Sequence, residues 1–130
     1  MFNISTNGAL TTLYSFDPNG SNGVCPQAAL VQGYDGYFYG MTPDVGIQPG
    51  DGRIGPADVI SGTVFKMSTN GTLTTLYAFG SITIADGDAL DGANPNGLVQ
   101  GSDGRFYGTT YGGGASGAGT VLRLTIVPEF

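Results

Sequence analysis

Three aspartates, Asp86, Asp88 and Asp91, lie within the stretch "ADGDALDG". Ca²⁺ takes roughly six to eight oxygen ligands, and carboxylates closely spaced on a loop are donors it favours. No cofactor is expected, and these three are the candidate ligands by which the chain could hold Ca²⁺. The EF-hand order is missing: no third Asp lies two residues on, and no Glu follows at the required distance. The competing reading is a solvated turn. A second set of residues has the chemistry of a ligand pocket: Tyr37, Tyr39, Asp51, Arg53, Arg105, Tyr107 and Tyr111. Aromatic faces beside polar and charged groups suit a neutral glycan. The same rings suit packing between sheets, and the sequence leaves both readings open. Asp51 and Arg53 belong to a long loop, Pro43 to Ser61, and long loops in compact domains are often functional.

Other chemistry is excluded by composition. The 130 residues contain no histidine and one cysteine, Cys25. Ser-His-Asp and Cys-His catalysis, His-ligated metals, thiolate clusters and an intrachain disulfide are therefore ruled out. Four basic residues against ten acidic ones give a formal charge of −6, which argues against nucleic acid and anionic membrane surfaces. The run "GGGASGAG" (Gly112 to Gly119) lacks the Gly-Lys-Ser/Thr of a phosphate loop and joins two predicted strands, where phosphate cradling needs a helix N-terminus. A pair of catalytic carboxylates on loops remains open, because the sequence does not say which acids meet.

The elements that must position these residues are strands. Fourteen Tyr and Phe residues, seven of each, sit in short apolar runs between 24 glycines, a pattern of many short strands and Gly-rich turns. No run has sustained helical periodicity or the length of a membrane span. Four segments recur. "ALVQGYDGYFYGMT" (Ala29 to Thr42) returns as "GLVQGSDGRFYGTT" (Gly97 to Thr110), each holding two strands, A and B, around an Asp-Gly turn. Segment C is "GTVFKM" (Gly62 to Met67) and then "GTVLRL" (Gly119 to Leu124). Segment D is "LTTLYSF" (Leu10 to Phe16) and then "LTTLYAF" (Leu73 to Phe79), each preceded by an Asn-Gly turn. Asn-Gly and Asp-Gly favour the positive φ of tight hairpins, so A pairs with B and C with D. Alternation places Leu73, Thr75, Tyr77 and Phe79 on one face of D and Leu76 and Ala78 on the other. Neither face is cleanly polar, so these strands are expected to be buried on both sides, as in stacked small sheets.

A four-stranded unit repeated in tandem and buried on both faces predicts an all-β fold of β-propeller blades. "LVQGSDGRFYGTTYGGGASGAGTVLRLT" and "STNGTLTTLYAF" resemble the GloVer-type tandem repeat of large bacterial proteins predicted to be propellers, and the likeness covers nearly the whole chain. The arrangement more loosely resembles the NHL-type blade. That resemblance implies that A lines the ring axis, D forms the rim and the D-to-A loop crosses between blades. It also implies a plain connector at "DGANP" (Asp91 to Pro95). The ending "IVPEF" is similar to the start of the family's export signal, which implies an extracellular or cell-surface location, although no secretory signal precedes the first strand. The function expected is a non-catalytic binding or scaffold module that takes carbohydrate. The alternatives are a propeller hydrolase or lyase using loop carboxylates, and a purely structural surface repeat.

Strand order predicts assembly. Blade one runs from 29 to 79. Blade two, 97 to 125, lacks a following D, while the D at 10–16 has no A and B before it. The expectation is a cyclic homo-oligomer of two to four chains, best a trimer of six blades, in which each chain hands strand 10–16 to its neighbour.

Overall fold

The computed structural model describes residues 2–16, 26–43, 62–79 and 90–126. They form nine strands in three sheets, and every strand pairs antiparallel with its sheet neighbours. β1 (Phe2–Ile4) and β2 (Leu10–Thr12) make a hairpin. β3 (Val31–Gln32), β4 (Phe38–Thr42), β5 (Thr63–Met67) and β6 (Leu73–Ala78) make a four-stranded sheet in chain order. β7 (Ala93–Gln100), β8 (Phe106–Gly112) and β9 (Thr120–Leu124) make a three-stranded one. No helix among the described residues is long and apolar enough to cross a membrane.

All four expected turns form, with one change of mechanism. Gly8, Gly36, Gly71 and Gly104 have φ of 86°, 86°, 91° and 81°. Each donates its N–H to the carbonyl three residues back, as Gly71 does to Ser68 at 3.1 Å. That is a type I turn closed by a left-handed glycine, so the residue before the glycine keeps a negative φ. Its side chain does other work: Asp35 Oδ1 accepts from the Tyr37 N–H and Asp103 Oδ1 from the Arg105 N–H, both at 3.0 Å. Asn7 and Asn70 likewise accept from Ser5 and Ser68 hydroxyls.

The middle sheet is a sandwich filling. Directly paired residues on antiparallel strands share a face, so Phe38, Gly40 and Thr42 line up with Met67, Phe65 and Thr63 on one side. Tyr39 and Met41 share the other side with Lys66 and Val64. The first side meets the N-terminal segment, where the Phe16 ring lies edge-on to Phe65 at 5.7 Å. The second meets the third sheet, where Tyr39 packs on Phe106 at 4.3 Å. Tyr39, Met41, Val64, Phe79, Leu98 and Phe106 form the core cluster between the second and third sheets. Thr42–Thr63 and Thr110–Thr120 hydroxyl pairs, at 2.7 and 2.8 Å, satisfy the polar groups buried at equivalent places in the two sheets.

Two details depart from the alternation read in the sequence. Thr75 lies opposite Phe65 but Tyr77 lies opposite Val64, and Phe65 and Val64 face opposite ways. Leu76 is thus the extra residue of a β-bulge, which moves Tyr77 off the Thr75 face. The connector before the second A strand is also shorter than expected. β7 already begins at Ala93, carries Asn94 at φ 55° and shifts register between Pro95 and Gly97. β7 is an edge strand, where a proline without an N–H is tolerated. β8 in turn extends through Tyr111 to Gly112.

The turn glycines separate two costs. Gly104→Ala meets nothing within 4 Å and should lose about 1–2 kcal/mol, from left-handed backbone alone. Gly71→Ala places its Cβ 2.4 Å from the Leu13 carbonyl oxygen and should lose clearly more. Urea unfolding of both variants checks this, and equal losses would show that residue 13 does not lie against the β5–β6 turn.

Candidate functional site

The repeated motif builds a repeated device. In the A–B turn of the second sheet, Asp35 is held by the Tyr37 amide, and Tyr39 sits four residues on along β4. The Tyr39 hydroxyl donates to Asp35 Oδ2 at 2.5 Å while its ring, wholly buried, stacks on Phe106 of the next sheet. Burial, and then the bond to the Asp35 carboxylate, raise the Tyr39 pKa well above its ordinary value. One side chain therefore pins its own turn and wedges two sheets together. Tyr39 was expected to line a ligand pocket, but in this packing it is sealed from solvent.

The third sheet repeats the device without a cover. The Tyr107 hydroxyl donates to Asp103 Oδ2 at 2.6 Å. That bond raises the Tyr107 pKa, and the same bond, followed by that from the Arg105 amide, lowers the Asp103 pKa. Tyr107 pairs with Arg123 and Val99, and Thr109 with Val121, so these residues share the face turned away from the second sheet. The contrast with their counterparts is large. Val64 is 2% exposed and Val121 is 83% exposed. Val99 and Tyr111 are also exposed. Sequence reading had singled out Tyr107 and Tyr111 but passed over Val99 and Val121. The signal for these two was their alignment with Val31 and Val64 in the first copy.

The remaining candidate residues fall in separate places. Tyr37 is partly exposed and carries the Lys66 ammonium 4.8 Å from its ring centre, a contact worth about 0.5–1 kcal/mol at such sites. Arg105 reaches Asp103 at 3.5 Å, an exposed pair that adds little. Tyr34, which the motif reading missed because its counterpart is Ser102, bridges the two A–B turns: its N–H donates to Gln100 Oε1 at 3.0 Å and its hydroxyl to the Gly101 carbonyl at 3.4 Å. Tyr34 and Tyr37 present exposed rings from the same A–B turn. Of the candidate calcium ligands, Asp91 accepts a 2.6 Å hydrogen bond from the Tyr77 hydroxyl. Asp86 and Asp88, and Asp51 and Arg53 of the long loop, lie outside the described residues. Among the described residues no three His, Cys, Asp or Glu side chains are grouped to hold a metal.

Described residues line at least two grooves. One, of about 310 Å³, runs beside β3 and β7 and is lined by Ala28, Val31, Asn96 and Leu98 among others. The other, of about 260 Å³, lies between the β1–β2 hairpin and the second sheet, against Phe2, Ile4, Leu13, Leu30, Phe38 and Met67. Among the described residues that line them, none is titratable. No family model, curated protein or solved structure matches the chain.

The buried tyrosine has a pH signature. Because the folded Tyr39 holds its proton more tightly, its contribution to stability is complete below the ordinary tyrosine pKa of about 10. Above that pH the unfolded chain gains by releasing the proton and stability falls. Tyr39→Phe removes this titration together with the bond to Asp35. The variant should have a lower Tm at neutral pH and a shallower decline of Tm above about pH 10. Parallel Tm–pH curves for the two proteins would mean that Tyr39 is not the buried group.

Proposed function

We propose that this chain is a non-catalytic binding or scaffold module of the β-propeller type, working outside the cell or at its surface. Its sheets are blades of four antiparallel strands, two per chain. The ring is completed by homo-oligomerisation, best as three chains with six blades, and a neutral glycan is the ligand its exposed aromatics suit. The resemblance to GloVer-type repeats supports the blade reading. The observation that supports it most is the stacking of two sheets of like sequence through Tyr39 and Phe106, while the third sheet turns its own copy of the Tyr39 face, with Val121, outward. A unit that packs on its own likeness is built to be continued.

A further observation supports binding. Tyr34 and Tyr37 expose flat rings on the A–B turn, the mixture of apolar face and polar edge with which aromatics take mixed-polarity partners.

Labelled protein on a glycan array tests the ligand. Neutral glycans should be retained, and Tyr34→Ala with Tyr37→Ala should abolish retention in a protein that still unfolds cooperatively, with only the small Tm loss expected from the Tyr37–Lys66 and Tyr34–Gly101 contacts. Retention by the double variant would move the ligand elsewhere. An array with no retained glycan would remove carbohydrate from the reading and leave a structural repeat.

A further inference from the structure

The chain contains both an unfilled position and the piece that fits it. β6 completes the second sheet by pairing Leu73, Thr74 and Thr75 with Met67, Lys66 and Phe65 of β5. β2 has nearly the same sequence and pairs Leu10, Thr11 and Thr12 with Ile4, Asn3 and Phe2 of β1, in the same register. β9 is the counterpart of β5, and no strand lies on its outer edge among the described residues. The hydrogen-bonding edge that β2 gives to β1 is the edge that would complete β9.

The faces match as the edges do. Phe106 takes Tyr39 of the preceding sheet. Its counterpart Phe38 looks instead into the groove beside β1, with Leu30 and Met67 in the positions of Leu98 and Leu124. The half-buried Tyr107 and the exposed Val121 are the counterparts of Tyr39 and Val64, which fill that place between the second and third sheets. Phe16 and Leu13 already lie against the second sheet, so a D strand is held on the correct side to lead into the assembly.

We infer that the third sheet of one copy docks in the groove at Phe38 of a second copy, with β9 displacing β1 from β2. This rests on the head-to-tail reading proposed above and names its surface. In the assembly Leu10, Thr11 and Thr12 pair with Leu124, Arg123 and Leu122, and Tyr107 packs on the second copy's Phe38. β1 is a placeholder: it shields the β2 edge in the single chain and is released on assembly. The exchange is favoured because β1 offers three residues, all exposed, whereas β9 offers five and brings Val121 and Tyr107 under cover. Edge pairing of this kind also removes a template for uncontrolled aggregation.

Light scattering of the full chain across a concentration series tests this. The wild type should pass from monomer to one discrete larger mass. Val121→Lys, a change at a solvent-exposed site of the single chain, should stay monomeric with the Tm of the dilute wild type. Removing Phe2 to Ile4 should shift the assembly midpoint to roughly tenfold lower concentration. A wild type that is monomeric throughout would overturn both the assembly reading and this interface. Assembly of Val121→Lys equal to wild type would overturn this interface and leave head-to-tail assembly through another face. Loss of assembly on removing Phe2 to Ile4 would show that β1 supports the contact, and the placeholder role would fall.

Discussion

The contact between Tyr39 and Phe106 is the constraint on which the rest of the described structure depends. A small antiparallel sheet has two faces and cannot bury both alone. Here the second sheet solves this by lending Tyr39 to the third, and the hydroxyl that would otherwise be costly to bury is satisfied by Asp35 of its own turn. A buried polar group left unpaired costs about 1–3 kcal/mol, more than a typical aromatic pair returns beyond its buried area, about 0.5–1.5 kcal/mol. The Asp-Gly turn therefore has two duties. Its glycine reverses the chain, and its aspartate makes the tyrosine wedge tolerable.

That coupling explains why the motif "YDGYFYG" and its copy "SDGRFYG" read alike and end in different environments. Local rules fix the turn, the strand and the direction in which Tyr39 and Tyr107 point. What lies opposite is set by the neighbouring sheet. Both tyrosines bond to their aspartates, yet only the first is sealed from water. A reading of residue types in one strand cannot separate a ligand-binding tyrosine from a packing one, and Tyr39, open to both readings, is buried against Phe106.

Much of the architecture was legible. Asn-Gly and Asp-Gly placed the left-handed glycines of the four hairpin turns, and the repeated segments placed the antiparallel hairpins, because both are decided within a few residues. The bulge at Leu76 was not legible, since it depends on the register of β5 against β6 across a turn. The early start of β7 was hidden by Pro95, which looks like a loop residue until the strand is known to be an edge. Of the candidate site, Tyr107 and Tyr111 emerged from composition, whereas Val99 and Val121 became significant only through the burial of their counterparts.

In the proposed assembly the open edge and face of the third sheet are half of an interface whose other half is in the same sequence. Amide hydrogen exchange of the unmodified protein, followed as its concentration is raised, tests it most directly. Protection of residues 120–124 should rise with concentration while residues 2–4 lose what protection they have. Protection of 120–124 that does not change with concentration, with 2–4 unchanged beside it, would contradict it.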